Sequence, residues 1–204
     1  MANFASLRGP VGLNRMYASV PLGPLNIASW LDSLQQGHTF ATNGPLLGFT
    51  LGGHTLGDEV RLPAGENKVN FSARLRSIVP IDHLEVICNG RVARELKLSD
   101  DRESADVEDA IPISQSGWCL LRAWSDKPED PVLDAYPYAT TSPIYITVAG
   151  SSPKLNEDPA YFVAWIDRMI QDVNSNRDWN TEAEKTSVMD QLNRARGVYV
   201  GLEK

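Results

Sequence analysis

The stretch Leu84-Glu85-Val86-Ile87-Cys88-Asn89-Gly90-Arg91-Val92-Ala93-Arg94-Glu95-Leu96 decides the fold class. Two extended-looking runs flank an Asn-Gly pair. Asn and Gly both accept positive φ, which a two-residue turn needs at its two central positions, so the stretch predicts a β-hairpin. Upstream, Val69, Phe71, Ala73 and Leu75 alternate with Asn70, Ser72, Arg74 and Arg76, the period of a half-buried strand. Leu47-Gly48-Phe49-Thr50-Leu51 runs into Gly52-Gly53, a second hairpin signal. Downstream, Asp100-Asp101-Arg102-Glu103 reads as a solvated loop. Strand-like runs follow at Ala110–Ile113, Trp118–Trp124 and Pro143–Val148. Short strands without interleaved helices predict a mainly β fold. The expected form is an antiparallel, immunoglobulin-like β-sandwich over residues 39–150.

Helical periodicity flanks this region. Residues 1–38 form a Gly- and Pro-rich lead-in, with a short extended piece at 15–20, and then a helix. Asn26 is its N-cap, Ile27, Trp30, Leu31 and Leu34 its apolar stripe, and Gly37 its C-terminal stop. Residues 151–204 predict a helical hairpin packed on the sandwich or on a partner. Asp158-Pro159 would start its first helix. Tyr161, Phe162, Trp165, Ile166, Met169, Ile170 and Val173 would form a wide apolar face. Thr181-Glu182-Ala183-Glu184 is a capping box opening the second helix.

Composition narrows the function classes. With 204 residues, 42% hydrophobic and 22% charged, the chain reads as an ordinary soluble globular protein. Its net charge of −7 argues against a nucleic-acid surface, which needs clustered cations. No run approaches the roughly 20 apolar residues of a membrane span, and no signal-peptide core is visible. The compartment is left open. Cys88 and Cys119 read as two buried thiols, with a disulfide as the alternative.

Chemistry-bearing motifs are sparse. There is no GxSxG elbow, phosphate loop, HExxH or paired-histidine motif, and His38, His54 and His83 are isolated in sequence. No metal or catalytic residue is assigned to this chain. Thr42-Asn43-Gly44-Pro45 reads as a tight turn that could also present polar groups. Arg122, within Trp118-Cys119-Leu120-Leu121-Arg122-Ala123-Trp124, either faces outward or needs a carboxylate, because an unpaired buried charge is costly. Tyr136 and Tyr138 suit carbohydrate stacking, with simple packing as the alternative.

Gly37-His38-Thr39-Phe40-Ala41-Thr42-Asn43-Gly44-Pro45-Leu46-Leu47 resembles the signature of CehA/McbA-type metallohydrolases, relatives of the polymerase-and-histidinol-phosphatase (PHP) phosphoesterases. Gly12-Leu13-Asn14-Arg15-Met16-Tyr17, Trp30-Leu31, Gly57-Asp58-Glu59-Val60, the run from Ser77 to Val86, Thr141-Ser142-Pro143-Ile144-Tyr145 and the segment from Tyr161 to Asp167 extend the resemblance over nearly the whole chain. Thr140 departs from it, since the family often has His there.

The resemblance implies that the divalent-metal ligands belong to an N-terminal PHP-like barrel, with their last motif just upstream of the Arg15–Tyr17 segment. This chain would then be a non-catalytic accessory region. Arg15, Tyr17, Thr42, Asn43, Gly44, Pro45, Arg122, Thr141 and Ser142 would be junction or cleft-edge residues. The expected partner is that barrel, in cis or in trans, or a second copy through exposed apolar surface. A stand-alone module binding carbohydrate or a cell-surface polymer is the alternative.

Overall fold

Asn89 and Gly90 take φ of 49° and 77°, and the turn they form joins β6 (His83–Cys88) to β7 (Arg91–Glu95), as expected. The computed structural model describes residues 12–132, 136–151, 153, 157–176 and 178–202. The expected lead-in before residue 12 lies outside them. The chain divides into two compact units, Met1–Pro153 and Lys154–Lys204.

The first unit is mainly β. Its remaining strands are β1 (Arg15–Ala18), β2 (Thr39–Thr42), β3 (Leu46–Leu51), β4 (Glu59–Leu62), β5 (Asn67–Arg76), β8 (Ser104–Ile113), β9 (Gly117–Trp124), β10 (Tyr138–Thr141) and β11 (Ile144–Val148). β3, β5 and β8 form a three-stranded antiparallel sheet. The other eight form a second sheet organised around β9, which pairs with β6, β10 and β11. Neither sheet closes into a barrel. Val69, Phe71, Ala73 and Leu75 of β5 meet Leu84, Val86, Leu121 and Ile144 of the larger sheet in one buried core.

Four sequence expectations need correction. The sheets are not purely antiparallel: β4 runs parallel to β11, with Tyr145 opposite Glu59. Gly52-Gly53 does turn with positive φ, but the ladder after it stops at a single Leu51–His54 bridge. β3 takes β5 as its partner while β4 crosses to the other sheet. The strand expected from residue 110 begins at Ser104, because the acidic residues of Ser104-Ala105-Asp106-Val107-Glu108-Asp109 mask its alternation. Pro112 is tolerated there because β8 pairs with β5 alone. Finally, Cys88 and Cys119 are bonded to each other, not free. They sit directly opposite in the β6–β9 register, a pairing that spacing in sequence does not reveal.

Helix α1 (Ile27–Gln35) is capped as read. Asn26 Oδ1 accepts from Ser29 N–H at 2.9 Å. At its C-terminus Gly37 has φ +74°, with Gly37 N–H donating to Leu34 O and His38 N–H to Ser33 O, a Schellman motif. Its apolar stripe is largely exposed. Ile27, Trp30 and Leu31 are 77%, 39% and 51% exposed. The buried residue is Ser33, whose Oγ donates to Ser19 O at 2.7 Å.

The second unit is a pair of helices, α2 (Glu157–Ser175) and α3 (Glu182–Leu202). α2 starts ahead of Asp158-Pro159, so that pair lies inside the first turn and not at the cap; residues 154–156 lie outside the described set. The helices are tied by Phe162 stacked on Tyr199 at 4.9 Å and by Arg196 on Asp167. The capping box is half formed. Glu184 N–H donates to Thr181 Oγ1, but the Glu184 carboxylate accepts from the Asn180 amide.

Candidate functional site

Thr42-Asn43-Gly44-Pro45 turns the corner between β2 and β3, and its side chains are spent on holding that corner. Thr42 Oγ1 donates to Pro45 O at 2.6 Å and accepts from Gly44 N–H at 2.9 Å. Asn43 Nδ2 donates to Tyr136 O at 2.7 Å, and Oδ1 accepts from Tyr138 N–H at 2.8 Å. The Asn43 N–H donates to Tyr138 O as well. Neither Asn43 nor Gly44 uses the positive φ that the turn reading allowed them. Space is tight at Gly44 instead: a Cβ there would lie 3.0 Å from Val132 Cγ2, so the valine side chain would have to give by a few tenths of an ångström. Pro45 is fully buried.

The corner is therefore a clamp that fixes the start of β10. Asn43→Ala removes two side-chain hydrogen bonds and strands their backbone partners, so it is expected to cost about 2 kcal/mol. Urea unfolding measures this; a loss under about 0.5 kcal/mol would mean that the clamp contributes nothing.

The other expected site residues divide into two groups. Arg15 and Tyr17 lie on β1, opposite Thr42 and Phe40, and Tyr17 stacks on Phe40 at 5.0 Å. Thr141 Oγ1 accepts from Leu121 N–H, and Ser142 Oγ shares a 2.8 Å hydrogen bond with Thr39 Oγ1. These residues extend the same corner along β2 and β10. An open depression of about 340 Å³ lies beside it, lined by Asn14, Arg15, Ala41, Thr42, Asn43, Tyr136 and Tyr138. The two tyrosine rings meet edge to face at 6.2 Å.

Arg122 belongs elsewhere. It sits on the outer face of the large sheet, registered with Thr140 and Glu85, and its Nε and Nη2 both donate to Glu85 Oε2 at 2.9 and 2.7 Å. The Trp124 indole N–H donates to the same oxygen at 3.1 Å. Glu85, with 9% of its side chain exposed, is the carboxylate Arg122 required. Its role was missed because it looked like one more polar position on a strand; only the β6–β9 register places it beside Arg122.

Next to this network His83 stacks on Trp124 at 4.2 Å, between Glu95 and Asp126. Desolvation is the largest single influence on the ring and pulls its pKa down. Hydrogen bonds and charge attraction from Glu95 and Asp126 together outweigh it, leaving the pKa above the ordinary 6.5. Protonated His83 is thus favoured in the folded chain. Its stabilisation is full below pH 6.5 and is lost as pH rises through the higher folded value. His83→Gln is expected to lower Tm at pH 5.5 and to leave it nearly unchanged at pH 8.5. The difference should stay below about 1 kcal/mol, since the ring and its partners are partly solvated. An equal effect at both pH values would remove the titration account.

His38 and His54 converge on Asp58, at 3.7 and 3.9 Å, but no group of three or more His, Cys, Asp or Glu among the described residues is placed to hold a metal ion. Among the described residues, no helix is long and apolar enough to cross a membrane. No family model, curated protein or solved structure matches this chain.

Proposed function

We propose that this chain is the accessory, non-catalytic region of a PHP-type metal-dependent hydrolase, packing against the catalytic barrel and supplying the edge of its cleft. The observation that carries the reading is the inverted burial of α1, with Ser33 turned in and Ile27, Trp30 and Leu31 turned out. Leu22, Leu25 and Met16 add to the exposed apolar residues of this N-terminal segment. A stripe of this kind marks an interaction surface, since folding alone would bury it. The resemblance of the Gly37–Leu47 run to the CehA/McbA signature supplies the identity of the partner, a PHP-like barrel in cis or in trans. The divalent metal belongs to that barrel, and no step is assigned to it here. The spent side chains of Thr42 and Asn43 favour a junction role over substrate contact.

The immunoglobulin-like reading of the β unit belongs to this proposal too. A core shared by two sheets supports it. The parallel β4–β11 pair and a disulfide within one sheet depart from the usual pattern.

The test is an immunoprecipitation from source cells with antibody to this chain. The recovered polypeptide, or a stoichiometric companion, should be identified by mass spectrometry as carrying a PHP-like barrel with bound divalent metal. The double variant Ile27→Ser/Trp30→Ser should release a separate companion while leaving the fold intact. Recovery of the 22.5 kDa chain alone, or as a homodimer, would overturn the proposal.

A further inference from the structure

We propose that the helical unit is a dimerisation module whose partner is the same unit of a second copy of this chain. α2 carries two apolar stripes. Phe162 and Ile166 belong to the stripe that meets α3: Phe162 stacks on Tyr199, and Ile166 is the only buried residue among the described residues of the unit. The other stripe, Tyr161, Trp165 and Met169, recurs every fourth residue and is 65%, 54% and 42% exposed. A helix pair that buries so little has almost no core of its own. A unit of that size needs a further layer.

Helical geometry places the exposed residues on one side, because successive side chains turn by about 100°. Counted from Phe162, Trp165 and Tyr161 turn one way and Asp167 the other. Counted from Tyr199, Leu202 and Val198 turn one way and Arg196 the other. Asp167 and Arg196 pair with each other, so they mark one side of the helix pair. Tyr161, Trp165, Val198 and Leu202, all exposed, share the opposite side.

The stripe on α2 selects a second copy because it complements itself. Let α2 pack antiparallel on the α2 of a second copy, with Trp165 at the two-fold. Tyr161 then lies beside Met169 of that copy, and Met169 beside its Tyr161. Thioether–aromatic contacts are favourable, and an interface between identical surfaces requires this kind of match. Every neighbouring helix in the product is antiparallel, as in an up-down four-helix bundle. The exposed residues of both copies together cover on the order of 1,000 Å², the lower end for a specific interface, which fits a micromolar dimer. Asp158 and Asp172 end the stripe and face each other across the two-fold, so charge opposes the pairing at low salt. No residue of the β unit takes part, and the dimer does not rest on the barrel reading.

The experiment is sedimentation equilibrium of the full chain, whose mass is 22.5 kDa. Wild type is expected to reach about twice that mass with a Kd of about 10 µM. Raising sodium chloride from about 20 to about 300 mM should tighten it about threefold by screening Asp158 from Asp172. Tyr161→Lys and Met169→Glu should each weaken the homodimer about tenfold, with far-UV helicity unchanged because both side chains are exposed. Mixing the two variants should restore association, since the introduced ammonium then lies beside the introduced carboxylate.

A wild-type chain still monomeric at about 200 µM would overturn the proposal. So would a dimer that both α2 substitutions leave unchanged but Ile27→Ser/Trp30→Ser abolishes, which would give the contact to α1. Failure of the mixed variants to associate would overturn the antiparallel register. A dimer recovered from cells without a barrel would end the barrel reading and leave this one standing.

Discussion

Replacing Cys88 and Cys119 together by Ala is expected to destabilise the β unit by about 3.5 kcal/mol. The bond closes a loop across a sequence separation of 31 residues, and freeing that loop restores entropy to the unfolded chain. The effect should appear as a shift of the urea midpoint at an almost unchanged amplitude, because the β6–β9 ladder retains its own register. Loss of Cys119 from the buried core adds a smaller cavity cost. Treating the wild-type chain with a strong thiol reductant should reproduce most of the shift. A loss below about 1 kcal/mol in both experiments would show that the sheet already imposes the constraint without the bond.

Gly57→Ala is expected to cost at least about 3 kcal/mol. Two effects combine there. Gly57 has φ +83°, which an L side chain adopts at a cost of about 1 kcal/mol or more. A Cβ would also fall 2.0 Å from the backbone oxygen of Gln36, at the end of α1, so the helix terminus itself has to move. Gly53→Ala separates the two causes. Its φ is +81°, and a Cβ there meets nothing within 4 Å, so only the backbone cost of about 1 kcal/mol applies. Thermal or urea unfolding of both variants decides the matter. Equal losses would mean that the approach of Gly57 to α1 is not a constraint.

What could be read in advance follows from the range over which each determinant acts. The burial of β5, the Asn89-Gly90 turn and the Asn26 cap are set by residues within one or two turns of each other, so the sequence displays them directly. The β4–β11 pairing, the disulfide and the Glu85–Arg122 contact depend on which strands become neighbours, and no local pattern encodes that. α1 shows a different limit. Periodicity correctly found its apolar stripe, but periodicity says only that such a stripe needs cover, not that this unit provides it. The site shows a third. Asn43 was readable as a turn residue, whereas its hold on Tyr138 spans 95 residues and appears only in three dimensions.

That span also constrains how the protein can be made. Thr39 meets Ser142 across 103 residues, and Thr147 meets Glu59 across 88. During synthesis at about 5–20 residues per second, β2 and β4 therefore wait several seconds for β10 and β11, which flank them in the sheet. The β3–β5–β8 sheet is complete once residue 113 has emerged, and it is available earlier as a template. Early strands of the larger sheet spend that interval with open edges, so a ribosome-bound intermediate ending between β8 and β10 is the species that most needs chaperone protection.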